Sequence, residues 1–194
     1  MPATLSPPRR AVARPMTVAD LEALPRWLPS GPIDYELRHG ALIPMAPPGF
    51  THGFQQSAIL FQLQLHGQRP GHGLAVGESG LLLGRRPDTL LAPDAAFILT
   101  KSLPVKRTKE GYLATIPELV VEVKSKNDSA KELAEKVAMY LAAGVDRVWV
   151  LDGSKKTVTV HTSAGKATLF AADTLTADGL IPGFAVSVAE LFSE

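Results

Sequence analysis

The segment from Leu119 to Leu151 constrains the fold more than any other. It opens with an apolar, β-branched run, LVVEVK (119–124), continues through a helix-like stretch, SAKELAEKVAMYLAA (129–143), and closes with a second apolar run, RVWVL (147–151). Two strands joined by a helix lie parallel in one sheet, because the helix returns the chain to the end at which the first strand began. Runs that are apolar on both faces belong inside a sheet that is covered on both sides. The segment therefore predicts an α/β domain. Ser129 with Glu132 reads as a capping box for the helix, and Gly144 as its stop. Glu132 and Lys136 have the spacing of a favourable pair one turn apart.

The rest of the chain supplies partners for that unit. Thr17 with Asp20 opens a short helix, and DYELRHGALIPM reads as a hairpin turning at His39-Gly40. FQQSAILFQLQLHGQRPG has the broad apolar face of a longer helix ended by the glycines at 67 to 73. Strand-like pieces follow at 74–84 and 89–99, and after the parallel unit come TVTVHTS, KATLF and a closing turn with a short helix. The order predicts a mixed central β-sheet flanked by helices. An N-terminal hairpin precedes this core and a β extension follows it. Residues 17–194 form one domain in this reading, and the Pro- and Arg-rich residues 1–16 a flexible tail.

Composition narrows the chemistry. The chain of 194 residues has no cysteine, which excludes thiol nucleophiles, disulfide scaffolds, Cys-zinc sites and iron–sulfur clusters. No apolar run reaches the roughly 18 residues of a membrane helix, and the N-terminus lacks the apolar core of a signal peptide. A cytoplasmic protein without a membrane partner is the expectation. The net charge of +1 does not announce a nucleic-acid binder. Even so, Lys101, Lys106, Arg107 and Lys109 crowd one loop, where they serve either as local phosphate contacts or as an ordinary solvated surface.

One strand is chemically odd. Alternation places Leu119, Val121 and Val123 on one face and Val120, Glu122 and Lys124 on the other. Charges in such a strand are paired or functional. Asp94, after Pro93 in LAPDAAFI, adds a second carboxylate at the start of another apolar strand. Two carboxylates and a lysine suit a divalent metal acting on a phosphodiester. Mg2+ takes hard oxygen ligands, a bound metal activates water, and an ammonium stabilises developing negative charge. Either fragment alone is a common accident of sequence, with Asp94 a turn residue and Glu122 and Lys124 a solvated pair. Their combination, with a helix directly after the second, favours the site. Tyr140 and Trp149 fall at core spacing and receive no chemistry.

Pro93-Asp94 with Glu122-Val123-Lys124 resembles the PD-(D/E)XK nuclease signature, and the element order resembles that superfamily's restriction-endonuclease-like αβββαβ core. More closely, MTVADLEALP, YELRHGALIPMAPP, THG at the first long helix, GESG, LAPDAAFI, PELVVEVKSKND, EKVAMYLAAGVDRVWVLD and LIPGFAVSVAELF resemble the Uma2 family, a domain of unknown function grouped with restriction endonucleases. These segments stand in family order over residues 16–192. The resemblance implies a Mg2+- or Mn2+-dependent endonuclease acting on DNA. Asp94, Glu122 and the Val123 backbone carbonyl would be the metal ligands, and Lys124 the signature lysine. It further implies a third acid at Glu36, otherwise an outward strand residue. Lys136 becomes a helper or relocated lysine, otherwise a surface residue paired with Glu132. His52 contacts phosphate or caps the long helix, and Glu78 joins the site or is a turn acid. A homodimer would suit cleavage of both strands. The competing expectations are a catalytically inactive nucleic-acid-binding module and a structural or oligomerisation protein with the same fold.

Overall fold

The computed structural model describes residues 14–29, 31–45, 47–104, 111–126 and 128–193. Residues 1–13 of the expected tail lie outside the described residues, as do Lys106, Arg107 and Lys109. The chain is already placed at Arg14, whose guanidinium bonds Asp20 at 2.7 Å, and the Met16 amide donates to the Gly40 carbonyl.

Helix α1 (Val18–Glu22) begins at the expected Thr17/Asp20 capping box. A two-stranded ribbon, β1 (Trp27–Leu28) and β2 (Gly31–Pro32), precedes the hairpin of β3 (Asp34–Arg38) and β4 (Ala41–Met45). That hairpin turns through His39 and Gly40, both at positive φ, which suits the right-handed twist of the strands. Helix α2 (Phe50–Leu63) runs on through a π turn over Gln64–Gln68. Strands β5 (Gly73–Gly77), β6 (Leu81–Gly84), β7 (Thr89–Leu91) and β8 (Ala95–Leu99) follow. The parallel unit is β9 (Leu119–Val123), α3 (Ala130–Ala142) and β10 (Arg147–Asp152). The chain closes with β11 (Thr157–Thr162), β12 (Gly165–Leu169), β13 (Thr174–Thr176), β14 (Ala185–Ser187) and a 3-10 helix over Val188–Phe192.

The main sheet has the order β12-β11-β10-β9-β8-β5, with β9 and β10 parallel and the other neighbours antiparallel. This is the expected mixed α/β sheet. Its two faces bury different cores. Leu119, Val121 and Val123 pack with Ile59 and Leu63 of α2 and with the C-terminal elements, whereas Val120, Val148 and Val150 pack with Val137 and Tyr140 of α3. Among the described residues no helix is long and apolar enough to cross a membrane.

The sequence reading treats 74–84 and 89–99 as two continuous strand-like pieces, and here the fold differs. Each piece is broken and changes sheet: β5 and β8 belong to the main sheet, while β6 and β7 join a second sheet of order β4-β3-β7-β6. The breaks fall at Glu78-Ser79-Gly80, where Glu78 has φ 48, and at Ala92-Pro93-Asp94. A proline has no N–H to extend a ladder, so the strand ends there. Asp94 therefore stands at a corner between two sheets. The expected Glu132–Lys136 surface pair also does not form. Glu132 turns back to complete the capping box with Ser129, and Lys136 lies buried on the inner face of α3.

Gly73 is required where β5 begins against β8. A Cβ there would overlap the Ile98 carbonyl oxygen and the Phe97 ring, whereas one at Gly84 would meet nothing within 4 Å. Gly73→Ala is expected to cost about 2 kcal/mol. Gly84→Ala should stay within about 0.5 kcal/mol of wild type. Urea unfolding midpoints of the two variants check the contrast, and equal stabilities would refute this packing.

Candidate active site

Asp94 is held at its corner from three sides. Its Oδ2 accepts the Val123 backbone N–H at 2.6 Å, its carbonyl accepts Gln56 Nε2 at 3.1 Å, and its Oδ1 lies 3.3 Å from His52 Nε2. The register explains the first bond. The β8–β9 ladder pairs Ala95 with Val121, so β8 has ended before Val123 is reached, and the Asp94 carboxylate takes the N–H that no strand neighbour meets on that side. The two acids thus come together because the strand following Asp94 pairs with the strand bearing Glu122.

Glu122 points to the α3 side and is buried. Its Oε2 accepts Lys136 Nζ at 2.8 Å and its Oε1 accepts the Tyr140 hydroxyl at 2.6 Å. The same ammonium lies 3.1 Å from Oε1 of Glu36, a fully buried residue of the second sheet. Glu36 also accepts the Ala92 N–H at 3.1 Å and pairs with Arg38 at 2.9 Å. Glu36 therefore points inward. The outward-facing alternative for Glu36 and the surface alternative for Lys136 are both corrected by burial.

Lys124 is placed otherwise. Its ammonium lies 3.0 Å from Asp152 Oδ2 at the end of β10 and is partly exposed. His52 occupies the first turn of α2, but Gly49 is the N-cap and no side chain caps the helix, so the capping expectation for His52 is corrected as well. Its ring turns to Asp94, with the Val123 carbonyl beside it. Glu78 touches the site indirectly, accepting the Gln56 amide that also holds the Asp94 carbonyl. Lys101 is not brought here. It follows β8 at the end away from Asp94, roughly 20 Å along the strand direction.

In the sequence Tyr140 reads as core alone, and Lys136 reads both ways. Both were signalled by the helix. Leu133, Val137 and Tyr140 define the inner face of α3, and Lys136 falls within that stripe, one turn before Tyr140. A lysine on an apolar face needs a buried acid, and Glu122 supplies it.

Electrostatics follows from burial. Desolvation pushes the Glu122 carboxyl up to about 7, Lys136 opposes the rise, and Asp94 adds to it. Burial disfavours the charge on Lys136, but Glu122 and Glu36 outweigh it, and its pKa is raised. Burial beside Glu122 and Glu36 holds the Tyr140 hydroxyl well above its ordinary value, so it stays a neutral donor. The hydrogen bond to Asp94 raises His52, against its burial.

The donor chemistry suits a hard dication. Among the described residues no three His, Cys, Asp or Glu side chains group at metal-binding spacing. What adjoins the His52 ring is a mixed set, Asp94 Oδ1 at 3.3 Å and the Val123 carbonyl. Glu122 lies close enough to Asp94 to feel its charge. Each Glu122 oxygen accepts one of these two hydrogen bonds, and a carboxylate oxygen has two lone pairs. Mg2+ binds proteins through one or two carboxylates and retains waters, so these donors fit it without a dedicated cage.

A family model described as "Putative restriction endonuclease", Uma2, matches residues 18–189. The chain belongs to the Uma2 family. A solved structure, "a putative nuclease belonging to DUF820" from Anabaena variabilis ATCC 29413, aligns with this Uma2 chain at a TM-score of 0.75. The two are 19% identical, and the alignment covers 92% of this chain and 98% of the other. At that identity the likeness establishes a shared fold. No curated protein matches the sequence.

The raised Glu122 carboxyl has a signed consequence. Its folded pKa of about 7 exceeds the ordinary 4.5, so the stability it contributes is complete below pH 4.5 and lost as the pH rises through about 7. His52, also raised, acts in the same direction. Glu122→Gln is expected to remove roughly 3 kcal/mol of the wild-type decline, leaving the His52 part and the opposing part of His161, whose pKa is lowered by burial. Unfolding free energies across pH 4.5–7.5 test this, and a wild-type curve as flat as the variant's would refute the burial-driven shift.

Proposed function

We propose that this Uma2 protein is a divalent-metal-dependent endonuclease that hydrolyses phosphodiester bonds in DNA, using Mg2+ or Mn2+. The observation that carries the reading is the bond from the Val123 amide to the Asp94 carboxylate. It fixes two acids from separate parts of the chain on neighbouring strand ends, with the Val123 carbonyl directly after Glu122 in sequence and Lys124 next along. Asp94, Glu122 and the Val123 carbonyl would hold the metal. A bound dication supplies an activated water and neutralises phosphate charge.

The chain's other groups divide the remaining work. Lys136 and Tyr140 hold Glu122 in place, and Glu36 holds Lys136 and the corner before Asp94. Lys124 exchanges Asp152 for the water or for the charge that builds on the phosphate, since a part-exposed ion pair is worth little and is readily released. DNA is the proposed partner, and a homodimer would place one site on each strand.

One observation favours a second reading. Both oxygens of Glu122 are engaged and both lysines have acid partners, as in a structural ion-pair network without turnover. That reading makes the protein a DNA-binding or oligomerisation module with a nuclease fold.

Incubation with supercoiled plasmid in Mg2+ or Mn2+ separates the two. Nicking is expected in wild type and absent in Asp94→Ala and Glu122→Gln. Lys124→Ala is expected to lose about 100-fold in rate. Its stability should fall by less than about 1 kcal/mol. Lys136→Met, which strands two buried carboxylates, should cost about 3–5 kcal/mol of stability. DNA binding by wild type with no cleavage in any metal would select the module instead.

A further inference from the structure

His52 is poorly accounted for as a structural residue. Its side chain is 16% exposed, its Nδ1 is buried without a hydrogen-bond partner, and Nε2 lies 3.3 Å from Asp94 Oδ1. Charge-assisted hydrogen bonds are usually about 2.7–2.9 Å, and buried ring nitrogens are normally satisfied. Asp94 itself is not loose, because its other oxygen is anchored at 2.6 Å on the Val123 amide. The ring is therefore held beside a fixed carboxylate oxygen by a long contact, and beside the Val123 carbonyl. Two donors bound side by side to one octahedral ion, at about 2.1 Å each, stand about 3.0 Å apart. The separation of 3.3 Å is close to that value.

We infer that His52 supplies an imidazole nitrogen to the same metal that Asp94 and the Val123 carbonyl bind, making a mixed nitrogen–oxygen site. This rests on the metal-dependent reading above and specifies it. Imidazole binds first-row transition-metal dications better than it binds Mg2+, for which oxygen donors suffice. The site therefore prefers Mn2+ and its heavier neighbours to Mg2+, and His52 sets that preference. Its place in the first turn of α2, on the face that also carries buried Gln55, Gln56 and Ile59, keeps the ring directed at Asp94.

The test reads the metal directly and needs no cleavage. Mn2+ is titrated calorimetrically into wild type, His52→Ala, His52→Asn and Asp94→Ala, with Mg2+ as competitor, and the bound Mn2+ is examined by electron spin-echo spectroscopy. Wild type is expected to show nitrogen modulation from a coordinated imidazole. Both His52 variants should lose it, together with about tenfold or more in Mn2+ affinity, while Mg2+ affinity changes by less than about threefold. Asp94→Ala should lose both metals. Mn2+ binding that depends on Asp94 but carries no nitrogen signal in wild type overturns the role of His52 and leaves the metal-dependent reading standing. Absence of saturable Mn2+ binding in wild type overturns both. A wild-type spectrum without nitrogen modulation decides against His52 even where its replacements fail to fold.

Discussion

A single ammonium group joins the parts on which the site depends. Lys136 comes from α3, Glu122 from the main sheet and Glu36 from the second sheet, and the lysine lies within 3.1 Å of both carboxylates. Buried charge is tolerated only when it is paired and its remaining lone pairs are met. Here Tyr140 meets Glu122, while Arg38 and the Ala92 amide meet Glu36. The cluster therefore acts as a cross-link with little positional slack. Because one of its bonds ends on Ala92, the cluster also fixes the corner from which Asp94 projects.

That corner is where fold and chemistry meet. The chain leaves the second sheet after β7, passes Pro93 and enters the main sheet at β8, which pairs with β9 only as far as Ala95 opposite Val121. The unpaired amide of Val123 is an ordinary problem of a strand that outlasts its neighbour. Asp94 solves it with a carboxylate, and the same bond sets the acid beside Glu122. Residues held by ladders and buried ion pairs keep their geometry better than residues on loops, which is what a charge-handling site requires.

Much of this was readable in the sequence, for definable reasons. The parallel unit, the hairpin at His39-Gly40 and both capping boxes depend on local chemistry and on apolar period. Asp94 and Glu122 were legible as a pair because charges in apolar strands are conspicuous. The change of sheet at 78–80 and 92–94 was not legible, since a strand that turns into another sheet keeps the same alternation. His52 reads as a possible cap because Gly49, which caps without a side chain, leaves no sequence mark. Tyr140 looked like core and is core. Its hydroxyl role depends on Glu122 lying opposite, a contact between elements that no local pattern encodes. Lys136 was ambiguous because Glu132 stands at the right spacing to pair with it, yet the helix N-terminus claims Glu132 first.

The two lysines near Glu122 illustrate how burial assigns roles that spacing cannot. Lys136 is enclosed, shared by two acids and held in its charged form by them, so moving it toward a substrate would strand both carboxylates in the core. Lys124 faces a single acid at a part-exposed strand end, where water can replace either partner at small cost. A group that must follow charge as it develops has to be free to move, and a group that positions a ligand must not be. In the proposed reaction, the lysine in the strand is therefore the one suited to act on substrate, and the lysine in the helix is the one suited to hold Glu122 still.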